Sequence, residues 1–252
     1  MDRREIEFGS VAAGRSRSDS IEIGKVRALL TGRARPYTRP GSLSGIDKRV
    51  RHGAVIVSAL GFEGDEQGDL RVHGGVDKAV HCYAWAQYEP WREELAGNAL
   101  AMALLAQPGA FGENLSVDGM DEHDICLADQ WQIGSARFEI SQGRQPCWKL
   151  NDRFHVPDMA LRVQSSLRTG WYLRVLQEGS VQAGDVIRRI ARPYPEWTIA
   201  ALLRVIAEGN CTPQIMDSIL ALPLPPSWRK LFTRRKESGN VEAWGPRLDG
   251  SF

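Results

Sequence analysis

Short runs in which apolar and polar residues alternate dominate the chain up to residue 192, the signature of half-buried strands. Ile21–Leu30 begins the pattern, and Ala54–Leu60 reads as a fully buried strand because it is short, β-branched and bounded by glycine. Asp77–Tyr83, Phe111–Val117, Trp171–Leu176 and Val186–Ile190 continue it. Asp124–Ile133 and Ala136–Ile140 read as a hairpin turning at Gly134-Ser135. Helical spacing enters between Trp85 and Leu105, interrupted by Pro90, Gly97 and Asn98, and again at Pro157–Val163. Past Arg192-Pro193-Tyr194-Pro195 the period changes. Three short helices are predicted there, Thr198–Glu208, Pro213–Leu222 and Ser227–Lys236, each with a capping residue at or near its start. Helices this short must pack on one another or on the β unit. The expected fold class is mainly β (α+β), with a β domain over 21–192 and a small helical domain over 196–245.

Composition narrows this picture. At 252 residues and 42% hydrophobic, the chain can bury a core without disulfides. A formal charge of +1 gives no overall pull towards nucleic acid. Residues 1–20 are rich in Arg, Ser, Gly and acidic residues, lack a signal-peptide core, and read as a disordered lead-in. No stretch is apolar enough to span a bilayer, so a cytoplasmic, membrane-free protein is expected. The four cysteines are dispersed with no Cys-x-x-Cys pair, which excludes zinc ribbons and plant-type iron–sulfur clusters. The basic run Arg229–Lys236 reads as a solvated helix face, with a docking surface for an acidic partner as the rarer option.

Two stretches carry candidate chemistry. Gly61–His81 holds five glycines in its first fifteen residues, together with Asp65, Asp69, Asp77, His73 and His81. Its spacings match no zinc or EF-hand pattern; Gly74-Gly75 could present backbone N–H groups to an anion, with Arg71 and Lys78 adding charge. A turn-rich loop is the plain alternative. The second stretch, Ser141–Asn151, follows a strand and is punctuated by Gly143 and Pro146, placing Cys147 in a loop between Arg144 and Lys149. Neighbouring cations favour a thiolate, the nucleophilic and metal-binding form of cysteine. A small buried hydrophobe is the competing reading of Cys147, and the stretch alone leaves the two open.

Four blocks together resemble the MOSC family, the molybdenum cofactor sulfurase C-terminal domain: Gly61-x-Glu-Gly-Asp65, His73-Gly-Gly-x-Asp77-Lys-Ala-Val80 with Tyr83, Phe111-Gly-Glu-Asn-Leu115, and Arg144-x-Pro-Cys147-x-Lys-Leu-Asn151. Their order is similar to the bacterial YiiM-type branch, over about Ile21–Gly245. The resemblance implies a MOSC-type β-barrel with peripheral helices and a C-terminal three-helix domain. It implies a molybdenum cofactor (molybdopterin) with Cys147 as metal ligand and catalytic residue. Cofactor contacts fall by the same resemblance on Ser44, Lys48, His73, Gly74, Gly75, Asp77, Lys78, Asn114, Arg144 and Asn151. The implied activity is reduction of N-hydroxylated compounds, including N-hydroxylated purine bases, with electrons from an external donor reductase. A persulfide-carrying Cys147 and a non-catalytic cofactor-binding module are the alternatives; the link to pyridoxal phosphate belongs to the family as a whole. Two positions depart from the family pattern: Gly143, where proline is usual, and Ala128, where glycine is common.

Overall fold

The computed structural model describes residues 20–69 and 73–251. The expected lead-in lies outside them up to residue 19, as does Arg71. Seven strands form a mixed β-barrel: β1 (Ile21–Thr31), β2 (Val80–Ala84), β3 (Leu115–Asp118), β4 (Gln130–Ile133), β5 (Ala136–Gly143), β6 (Trp171–Gln177) and β7 (Val186–Ala191). Around the ring the order is β1-β7-β4-β5-β6-β2-β3, and β3 pairs back to β1 to close it. Every neighbouring pair is antiparallel except β2–β3, which is parallel. A parallel pair needs a crossover connection. Here the crossover carries two helices, α1 (Tyr88–Glu94) and α2 (Ala99–Leu105).

Pro90 stands in the first turn of α1, where its missing N–H costs little. Asn98 caps α2 by accepting from the Leu100 and Ala101 amides. Tyr83, Tyr88, Trp91, Phe111 and Phe154 fill a buried aromatic cluster under these helices, with Tyr83 stacked on Phe111 at 4.1 Å.

The main core lies inside the barrel and continues without a break into the C-terminal helices α5 (Ile199–Ala207), α6 (Pro213–Leu220) and α7 (Pro226–Ser238). Ile199, Leu202, Leu203, Met216, Trp228 and Phe232 share it with Trp131, Phe138 and Trp171. Gly143 explains the close seating of α5: a Cβ there would lie 2.8 Å from Leu203 Cδ2 and 3.1 Å from Ile199 Cγ2. The other departure, Ala128, adopts φ 61, a left-handed conformation that costs an L-residue about 1–2 kcal/mol.

Several expectations are corrected. Val55–Ser58 is a two-faced strand outside the barrel: Val55 and Val57 are buried while Ile56 is exposed. β5 runs on through Gly143, so the loop begins at Arg144. A helix absent from the sequence reading, α3 (Lys149–Phe154), starts two residues after Cys147, and α4 (Met159–Ser166) follows. The basic run is a solvated face at Arg229, Lys230, Arg234 and Lys236, and Arg235 is the exception. Arg235 is buried, paired with Glu242 at 2.8 Å, and donates to the Val205 and Ile206 carbonyls at the end of α5. Arg229 donates to the Leu220 and Leu222 carbonyls, and Lys236 pairs with Asp217.

Candidate functional site

The site forms where β5 ends and β2 and β6 begin. Arg144, the first residue after β5, is pinned by its amide to the Gly170 carbonyl at 2.9 Å, at the corner leading into β6. Its guanidinium is thereby turned into a cleft shared with His81 of β2 and Tyr172 of β6. Loops 44–48, 65–68, 73–78 and 111–114, with Cys147 and Lys149, complete the wall around about 600 Å³ of space, open mouth included. Two of these loops touch backbone to backbone. A Cβ on Gly45 would sit 2.0 Å from the Glu66 carbonyl oxygen, and one on Gly68 would sit 2.1 Å from that of Leu43. Only glycine allows this approach.

Cys147 is half-buried, and its Sγ lies 3.5 Å from His73 Nε2. Burial, then Lys149, Arg144 and Lys78, pull the His73 pKa down to about 4, so its imidazole is neutral at neutral pH. His81 is also neutral: full burial and the Arg144 charge hold it well below the usual histidine range. Burial likewise lowers Lys78 and Lys149 and raises Tyr172. Lys48 is ion-paired inside the protein with Asp65, which also accepts the Gly32 amide at 2.8 Å. Among the described residues, Arg144 Nη1, His81 Nε2 and His73 Nδ1 are buried along the cleft without a hydrogen-bond partner. Among the described residues no carboxylate pairs with Arg144, and none of the groupings of His, Cys, Asp and Glu could hold a metal ion by itself. The cleft therefore offers one thiol and a set of buried donors.

Of the residues singled out from the sequence, Cys147, Arg144, His73, Gly74, Lys78, Asn114, Ser44 and Lys48 line this cleft. Asn114 spends both ends of its amide on the protein, accepting from the His81 amide and donating to the Leu30 carbonyl. Gly75, Asp77 and Asn151 lie off the wall. Gly75 precedes the short turn Val76–Lys78, and Asp77 pairs with Arg174 at 2.8 Å. Asn151 donates to the Leu248 carbonyl and accepts from the Ala160 amide. The cleft also holds Tyr172, which nothing in the sequence singles out, and Lys149, a member of the Arg144–Asn151 block beside the thiol. His81 was visible as one more histidine in a polar segment; its burial could not be read.

With this geometry, two family models match the chain: the MOSC domain over residues 69–188 and the YiiM-like 3-alpha helix domain over 197–239. A Bacillus subtilis protein named YflK is 37% identical over 219 residues, 86% of this chain and 93% of its own length. The chain belongs to the MOSC family. Its C-terminal helices match the YiiM-like helical domain. The crystal structure of YiiM from Escherichia coli matches with a TM-score of 0.73 at 27% identity, covering 89% of this chain and 98% of that one. A Gibberella moniliformis protein named "Reductase" is 35% identical over 215 residues, and this MOSC chain spans 37% of that protein's length. Among the described residues no helix is long and apolar enough to cross a membrane.

Proposed function

We propose that the cleft holds a molybdenum cofactor of the molybdopterin type, with Cys147 as metal ligand, and that the chain reduces N-hydroxylated compounds such as N-hydroxylated purine bases. One observation carries the reading. Arg144 is 6% exposed, has no carboxylate partner among the described residues, and leaves Nη1 unpartnered in the same cleft as a half-buried thiol. An uncompensated buried charge costs several kcal/mol, and an anionic ligand such as a pterin phosphate would compensate it. His81 Nε2 and His73 Nδ1 are further polar atoms suited to a ligand rich in hydrogen-bonding groups. When bound, such a cofactor supplies two-electron redox chemistry at the metal.

The chain's own residues would do the rest. Cys147 would bind as thiolate, a ligand type that soft metals favour. His73, neutral beside it, adds no positive charge at the thiol. Reducing an N-hydroxyl group breaks the N–O bond, takes two electrons and two protons, and releases water. No Cys-x-x-Cys or Gly-x-Gly-x-x-Gly unit stores electrons here, so a separate donor protein must deliver them. The relative named "Reductase" supports the reaction class.

Metal and pterin analysis of protein from cells able to make the cofactor tests the reading. Stoichiometric molybdenum is expected in the wild type, with loss in Arg144→Ala and in Cys147→Ser while both stay folded. Unchanged molybdenum content in both variants would refute the assignment. A sulfane adduct on Cys147 without molybdenum would turn the reading to sulfur transfer.

A further inference from the structure

Cys147 is bracketed by one residue from the far end of the chain. The Arg247 guanidinium donates from Nη1 to the Pro146 carbonyl at 2.6 Å, and the Arg247 carbonyl accepts the Trp148 amide at 2.8 Å. Side chain and backbone of one arginine thus hold the peptide units on both sides of the thiol-bearing residue. The other end of the fork, Nη2, donates to Gln164 Oε1 at 2.5 Å, tying the arrangement to a buried side chain of α4. The flanking residues repeat the stitch. Asn151 Nδ2 donates to the Leu248 carbonyl, and Arg39, lying over the Trp148 ring at 3.9 Å, donates to the Asp249 carbonyl. Burial pulls the Arg247 pKa down to about 10, so the guanidinium remains charged at neutral pH.

Arg247 lies beyond residues 69–188 and 197–239, the two stretches that the family models match. We propose that Arg247 is a positioning residue of the cleft: by pinning Pro146 and Trp148 together it fixes where the Cys147 thiol points, and the C-terminal segment is part of the site. The loop has little else to hold it. Cys147 stands between β5 and α3, in neither ladder nor helix, and its carbonyl is engaged only by the Leu150 amide among the described residues. A planar two-sided donor suits this task because one guanidinium can bridge two acceptors in fixed geometry. The consequence for activity rests on the reading of Cys147 as metal ligand; the positioning itself does not.

The test is the plateau alkylation rate of Cys147 by iodoacetamide at alkaline pH, where the thiol is ionised in every variant and loss of the Arg247 charge cannot mask the effect. It is measured in the full-length, cofactor-free protein, followed by peptide mass spectrometry, with half-buried Cys211 as internal reference. Arg247→Ala should raise the Cys147 rate about tenfold, the equivalent of one lost hydrogen bond to a charged group, while Cys211 stays unchanged. Arg247→Lys, which keeps a charged donor but not the fork, should fall between the two. Equal rises at both cysteines with a lowered Tm would mean general loosening and would overturn the proposal, as would an unchanged Cys147 rate. If Arg247→Ala is not recovered folded, Arg247→Lys decides alone: a raised Cys147 rate upholds the bracket and an unchanged one refutes it. Molybdenum content of the wild type, measured separately, tests the functional reading without touching this one.

Discussion

Glu122 gives the sharpest test of the electrostatics around the site. It is 1% exposed, no cation pairs with it among the described residues, and its Oε1 accepts the Gly170 amide at 2.6 Å. Burial raises its pKa from 4.5 to about 7, against the lowering effect of the backbone amides it accepts. The folded state therefore keeps this proton across a window in which the unfolded chain has lost it. Folding binds the proton, so stability falls as pH rises from about 4.5 to about 7 and is flat above. At ~1.4 kcal/mol for each tenfold change in proton affinity, the loss is about 3 kcal/mol in all. Glu122→Gln keeps an acceptor for Gly170 and cannot ionise. Urea unfolding of both proteins at pH 5, 6, 7 and 8 should show the variant gaining on the wild type with rising pH, most of it below pH 7. A difference that stays constant across this range would refute the reasoning. The corner concerned is Arg144's own anchor, since the Gly170 carbonyl accepts the Arg144 amide.

Two further expectations concern the seam between barrel and helices. Gly143→Ala puts a methyl group against Leu203 and Ile199 and should cost about 1–3 kcal/mol by overpacking, read as a lowered Tm; an unchanged Tm would show that α5 yields freely. Arg235→Ala strips Glu242 of its ion-pair partner and takes one donor each from the Val205 and Ile206 carbonyls, for a loss of about 3 kcal/mol in denaturant unfolding. A loss below about 1 kcal/mol would place that ion pair among the weak surface kind.

Much of this arrangement was legible in the sequence because it follows from local rules. Alternation marked β1, the turn at Gly134-Ser135 marked the β4–β5 hairpin, and the bounds of α5 to α7 fell within two residues of those read. Only Thr198 caps its helix, however: Thr212 makes no side-chain cap bond, and α7 starts at Pro226, ahead of Ser227. Motif order located the cleft through Cys147, Arg144 and His73. What escaped is non-local. Asp77 and Asn151 share their motifs with cleft residues, yet Arg174 and Leu248, distant in sequence, claim their side chains. Arg235 sits in a run of cations and is buried because Glu242 and the end of α5 lie over it. The helix α3 escaped for a different reason: Pro146 and the polar Lys149, Asn151 and Asp152 read as loop, while Leu150 and Phe154 are the only apolar residues of its buried face, which Lys149 and Asn151 share.

The closure of the barrel also has a bearing on how the chain is made. Ile21 pairs with Arg189, so the first strand of the barrel waits for its last, β7, before that edge is covered. Until then β1 has β3 and the two-residue strand Arg49–Val50 to pair with, which leaves the amides and carbonyls of its β7 edge free on a growing polypeptide. The C-terminal helices emerge later still and supply Leu203, Trp228 and Phe232 to the same core. High sequence separation of this kind slows folding and lengthens exposure to aggregation. A stalled ribosome releasing a product that stops short of β7 would free an open sheet rather than a smaller working protein.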